Sequence, residues 1–155
     1  MFAHNYQDIP KEEYLTFHAF LDTQELKKKP SIIANSNWIR LTYSSPLIGK
    51  YQIDDYTVLS VSKFSGSIGD ELSNLNRWRS QLGLSALESS NGHVMSRILN
   101  GISTRIIQLN HNSQHMLIYW LTIDDRHFFL KVMSNQFVDH EFLVPFIELQ
   151  SWNTI

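Results

Sequence analysis

Arg79 holds the most informative position among the residues that could do chemistry. At ~100° per residue, Ile68, Leu72, Leu75 and Leu82 fall in an apolar stripe about 80° wide, and Arg79 falls inside it. An isolated buried guanidinium costs several kcal/mol, so it needs a partner. Two readings stay open. Arg79 either clamps a carboxylate or backbone carbonyls of its own sheet, or it awaits an anionic ligand. Asn76 lies at the edge of the stripe and shares that network, and Trp78 flanks it. Asp70, Asn74, Arg77 and Gln81 fall on the opposite, wet face, which makes Arg77 a candidate for a partner surface. The structural expectation is that Asn76 and Arg79 fix the helix onto a sheet.

The other reactive types lack the spacing that chemistry needs. Seven histidines are present, but His111 and His115 are separated by a turn-forming Asn112-Ser113, and no His-Glu-x-x-His pattern occurs. His127 starts a strand and His140 precedes Glu141, so no metal site is expected. The acid pairs Asp54-Asp55 and Asp124-Asp125 sit in turns, where Asp bonds to its own backbone. There is no Gly-x-Ser-x-Gly elbow, no phosphate-binding Gly-x-x-x-x-Gly-Lys loop and no Gly-x-Gly-x-x-Gly fingerprint. The chain has no cysteine, which excludes disulfides, thiolate catalysis and Cys-held metals. No catalytic residue and no cofactor is expected.

These residues need a scaffold, and 155 residues make one domain, 1–155. Hydrophobic residues at 43% against 18% charged exclude a disordered chain. A net charge of −2 offers no global field for nucleic acid. No apolar run reaches the ~18 residues of a membrane span. The N-terminus has no basic region followed by an apolar run, so a cytoplasmic location is expected, with an exported form if a leader was removed.

Residues 8–29 read as an amphipathic helical extension with Glu12 and Glu13 early, Lys27, Lys28 and Lys29 late, and Pro30 as the stop. The core spans 37–150. Strands are expected over 38–43, 57–64, 93–99, 104–109, 115–123 and 127–133, the last three as an antiparallel meander joined by short polar turns. A helix capped by Ser67 and Asp70 runs to Gly83, and a final helix runs from Asn135 to about Trp152 with Val138, Phe142, Phe146 and Leu149 buried and a kink at Pro145. The run Met116 to Leu121 is apolar on both faces and reads as a central strand covered on both sides. The fold class is α+β, an antiparallel β-sheet of about six strands packed between helices.

The segment Ser62 to Leu84 carries Phe64-Ser65-Gly66 followed by Asn74-Leu75-Asn76-Arg77-Trp78-Arg79-Ser80-Gln81-Leu82-Gly83-Leu84. It resembles an uncharacterised bacterial family with a Phe-x-Gly turn and an Asn-x-Asn-Arg-Trp-Arg-x-Gln-Leu-Gly-Leu helix. Trp38 and Arg40 look like that family's first strand, Phe128-Phe129-Leu130-Lys131 like its late strand, and Phe146-Ile147 like its closing helix. The likeness covers about 37–150. It implies the architecture of PsbP, the extrinsic photosystem II subunit, and supplies no established catalytic residue to carry over. Family members are often exported lipoproteins, whereas this chain is expected to carry an extra N-terminal helix and no leader.

The leading expectation is a non-enzymatic binding or adaptor domain recognising a protein partner, with a homodimer as one form of that partner. Binding residues are expected among Asn76, Arg77, Trp78, Arg79, Trp38 and Arg40. The alternatives are a small anionic ligand-binding protein, a secretion-system chaperone for hydrophobic segments by analogy of fold, and an enzyme with an unrecognised site.

Overall fold

The computed structural model describes residues 32–155, so the expected helix over 8–29 lies outside the described residues. Among the described residues, seven strands form one antiparallel sheet: β1 (Ile39–Arg40), β2 (Leu47–Asp54), β3 (Thr57–Ser65), β4 (Met95–Leu99), β5 (Ile102–His111), β6 (Gln114–Ile123) and β7 (Arg126–Ser134). Their spatial order is β1-β2-β3-β7-β6-β5-β4. Helix α1 (Glu71–Gln81) enters the sequence between β3 and β4. A short helix α2 (Val144–Leu149) and a 3-10 turn (Trp152–Thr154) close the chain. The α+β class and the antiparallel sheet are as the sequence implies, with one strand more than expected.

Tight turns set the register. Asn100-Gly101 links β4 to β5, and both residues have the positive φ that a two-residue hairpin of this kind requires. Asn112 and Asp124 adopt positive φ at the two later turns, a conformation their short polar side chains tolerate. Two meanders result, β1 to β3 and β4 to β7, and β3 pairs with β7 from Thr57↔Ser134 to Ser65↔Arg126.

The extra strand β2 is not visible in the sequence because its apolar residues do not alternate. Ile48, Tyr51 and Ile53 all join one core although their spacing is three and then two. Register shifts between Leu47 and Gly49 and between Gln52 and Asp54 absorb the mismatch. A Cβ at Gly49 would stand 3.0 Å from the Tyr51 hydroxyl oxygen, so glycine is what lets that ring fold back over the strand. The expected first strand over 38–43 shrinks to Ile39–Arg40, and Tyr43 is exposed.

Each face of the sheet carries its own core. On the first face, Tyr51, Leu59, Tyr119, Phe128 and Leu130 pack under Leu143, Phe146, Ile147 and Trp152. On the second, Ile107, Ile118, Trp120 and Phe129 pack under Leu75, Trp78 and Leu82 of α1. The β6 residues Met116 to Leu121 are buried throughout, as expected of a strand covered on both sides.

The final helix is much shorter than the expected 135–152. Pro145 lacks an N–H and is accommodated in a first turn, so the helix begins there and does not run through it. Phe142 and Leu149, expected in the buried stripe, are 42% and 56% exposed, whereas Leu143, Ile147 and Trp152 are buried. At α1, Asp70 alone is the N-cap: its Oδ1 accepts the Ser73 N–H at 2.8 Å, replacing the expected Ser67–Asp70 box. Gly83 ends α1 at φ +81°, with Leu84 N–H bonded to Arg79 C=O and Gly83 N–H to Ser80 C=O, the paired closure that needs a left-handed residue. Among the described residues no helix is long and apolar enough to cross a membrane.

Candidate functional site

Helix α1 is held to the sheet by polar contacts near both of its ends. Glu71 in its first turn meets Arg105 of β5 at 2.9 Å and also accepts the Ser90 hydroxyl at 2.6 Å. Gln81 at its end accepts from Lys131 Nζ of β7 at 3.0 Å. Asn76 and Arg79 do not anchor the helix in this way, which corrects the expectation. Asn76 grips the backbone of Leu87 with both amide atoms, Nδ2 to the carbonyl at 3.0 Å and Oδ1 from the N–H at 2.8 Å. The Arg79 Nε–H donates to the Ser85 carbonyl at 2.7 Å, and the residue is half-buried. Both fasten the loop after α1 to the helix. The wheel placed Arg79 toward the sheet, but its long side chain reaches the loop that Gly83 turns back beside it.

The remaining residues of the motif have different roles. Trp78 is buried and meets Trp120 and Phe129 edge to face, with centroids 6.0 and 5.0 Å apart. Asn74, expected on the wet face, is buried: its Nδ2 donates to the carbonyls of Ile68 and Asp70, and its Oδ1 accepts from Arg77. Trp38 lies on the other side of the molecule, in the first core against Tyr51 and Phe146. Arg40 is exposed on the edge strand β1. The six expected binding residues therefore do not form one site.

Arg77 does belong to a site. Its guanidinium carbon lies 5.1 Å from the Trp78 ring centre and 5.7 Å from that of Phe129, and Asn74 holds one nitrogen at 2.8 Å. From this perch it borders a groove of about 350 Å³ beside α1. The floor is Ser60 and Ser62 of β3 with Phe129 and Lys131 of β7, and Pro46 and Leu47 form part of the far rim. Among the described residues no carboxylate lines it. Burial, then the nearby charges of Arg77 and Lys50, push the Lys131 ammonium below the ordinary lysine range. Arg77 is exposed as a residue, and the partial burial of its guanidinium lowers it as well. The groove is a partly dry, cation-rich recess, and what it can do chemically is hold an anion.

Sequence reasoning missed Lys131, Ser60, Ser62 and Lys50. A signal for Lys131 was available: a lysine between Leu130 and Val132 in a strand this apolar must point at the face opposite those two leucine and valine side chains. Once α1 covers that face, Lys131 lies under the helix end.

A second, wider recess of about 680 Å³ lies at the end of the sheet between residues 100–103, 122–124 and 150–154. It gathers no set of convergent charges. Among the described residues, no three His, Asp or Glu side chains come together in a way that could hold a metal. No protein-family model matches the chain, and no curated protein matches it.

Proposed function

We propose that this chain is a non-enzymatic binding domain that captures an anionic ligand in the groove between α1 and the β3–β7 pair. The observation that carries this reading is the convergence of Arg77 and Lys131 on one recess that no acid lines among the described residues. Two like charges held close and partly desolvated cost stability, and an anion placed between them recovers it. The test is thermal unfolding in sulfate against chloride at matched ionic strength. Sulfate raises Tm for the native chain, and the rise disappears in the Arg77→Gln/Lys131→Met double variant. An equal rise in both would sink the proposal.

A second reading, recognition of a protein partner or a second copy, draws on the sheet edge. Among the described residues strand β4 ends the sheet, and its Met95 and Ile98 are 42% and 70% exposed. An open edge with apolar side chains is a place where another strand can add. Light scattering of the native chain and of an Ile98→Lys variant tests this: a dimer that the substitution dissociates supports it, and a monomer in both opposes self-association.

We also propose membership of the PsbP-like family of folds. The antiparallel sheet with α1 laid across one face supports that likeness, and an experimental structure of a protein with the Asn-x-Asn-Arg-Trp-Arg signature would test it.

A further inference from the structure

We propose that the group seated in the α1 groove is a phosphate monoester and not a carboxylate, an inference that rests on the anion-binding reading above. Charge is the first argument. Arg77 and Lys131 line the recess, Lys50 stands close enough to weigh on Lys131, and no carboxylate lines it among the described residues. A carboxylate brings one negative charge into this field. A phosphate monoester brings about 1.5 to 2 at pH 7 and leaves less of the repulsion standing.

The direction of the donors is the second argument. Arg77 lines the recess from the helix, and Lys131, Ser60 and Ser62 line it from the strands beneath, with Lys131 Nζ also bonded to Gln81 at 3.0 Å and the Ser62 hydroxyl 3.5 Å from the Phe129 carbonyl. Donors on two sides suit a tetrahedral group, whose oxygens point in several directions. A carboxylate offers two oxygens in one plane. Arg77 is also pre-organised. Asn74 and the Trp78 and Phe129 rings fix its fork before any ligand arrives, so little side-chain freedom is lost on binding.

Size is the third. A recess of about 350 Å³ is far larger than a bare ion. One water takes about 30 Å³ in the liquid, which sets the scale for an oxyanion with four oxygens. The remaining space is bordered by Pro46, Leu47 and Phe64, so the ester carries an organic part with some apolar surface.

The experiment is calorimetric titration of the full chain at fixed ionic strength with phenyl phosphate, benzoate, and a serine peptide in phosphorylated and unphosphorylated forms. The expected result is phenyl phosphate binding at least tenfold more tightly than benzoate, with a loss of at least tenfold in Lys131→Met and in Arg77→Gln. Arg77→Lys, which keeps the charge and loses the fork, falls between. Tryptophan fluorescence of each variant checks that the core around Trp78 is intact. A phosphopeptide tighter than phenyl phosphate supports the class with a protein as its bearer, and the reverse supports it with a small molecule as bearer. Benzoate binding as tightly as phenyl phosphate overturns the phosphate assignment and leaves the anion groove standing. Binding of neither probe, or binding unchanged in both variants, overturns both.

Discussion

The indole N–H of Trp120 donates to Nδ1 of His127 at 3.1 Å, across the same face of the sheet that α1 covers. For Nδ1 to accept, the ring must be neutral with its proton on Nε2. Arg105 lies 4.3 Å above the centre of the Trp120 ring and adds a positive charge nearby. Burial first, then Arg105, draws the His127 pKa below its ordinary value, with Asp125 opposing.

The sign of the pH effect follows. The unfolded chain takes up a proton near pH 6.5 and the folded chain at a lower pH, so the contribution is complete above about pH 6.5 and is lost as pH falls through the folded value. We predict that Tm falls between pH 7.5 and pH 5 and that His127→Asn, which can still accept from the indole but does not titrate, reduces that fall. A drop of the same size in the variant would assign the pH effect elsewhere.

Asn76 and Arg79 should separate in their cost. Replacing Asn76 by Ala leaves the Leu87 N–H and C=O without their partners and costs about 1–3 kcal/mol. Hydrogen exchange at the Leu87 amide should quicken with it. Arg79→Met removes one hydrogen bond to the loop and costs about 1 kcal/mol or less, with the near-ultraviolet signal of the tryptophans unchanged. Urea unfolding measures both. If Arg79→Met costs as much as Leu75→Ala, expected at about 2–5 kcal/mol, then Arg79 does anchor the helix after all.

Lys131→Met should stabilise the empty protein while, on the proposed reading, it weakens anion binding at least tenfold. Burial and the neighbouring cations lower the folded pKa of Lys131, so its charge disfavours the native state at neutral pH, and that penalty fades as pH rises toward the unfolded value near 10.4. A gain of about 1–3 °C in Tm at pH 7 is expected, narrowing under alkaline conditions. A lower Tm would mean that the bond to Gln81 outweighs the repulsion.

Tyr119 ties the approach to α2 down onto the sheet. Its hydroxyl donates to the His140 carbonyl and accepts the Leu143 N–H at 3.4 Å. Burial is the main reason its pKa is pushed up to about 12 from 10.0. A raised value means stability that is whole below about pH 10 and is lost as pH climbs through the folded value. Tyr119→Phe should cost about 1–3 kcal/mol at neutral pH and remove that step from an alkaline titration of the fold, followed by circular dichroism. An unaltered alkaline profile would place the transition on another group.

Much of this architecture was legible in the chain because local and global signals agree. The β5 to β7 strands alternate or are continuously apolar, their turns carry Asn and Asp where positive φ is needed, and α1 has both a cap and a glycine stop. Strand β2 was hidden because its bulges break the period by which a strand is recognised. The last helix was overdrawn because apolar residues at helical spacing cannot by themselves outvote a proline. The site was half legible. Arg77 and Trp78 stand out in the motif, and the wheel put Arg77 on the exposed side as observed, but it set Asn74 in water and aimed Arg79 at the sheet. A wheel reports direction around one axis. It does not report that Arg77 folds across two rings or that a lysine fifty-four residues later ends beside it.

The β3–β7 ladder gives the groove an unusual ancestry within the chain. Its floor takes two serines from the first meander and a phenylalanine and a lysine from the second, and these meet nowhere except along that seam. Neither hairpin set owns a complete site. On the proposed reading, ligand capture would double as a report on assembly: a chain whose halves had folded but not zipped together would show strands without affinity, and an anion bound at the join would act as a clasp.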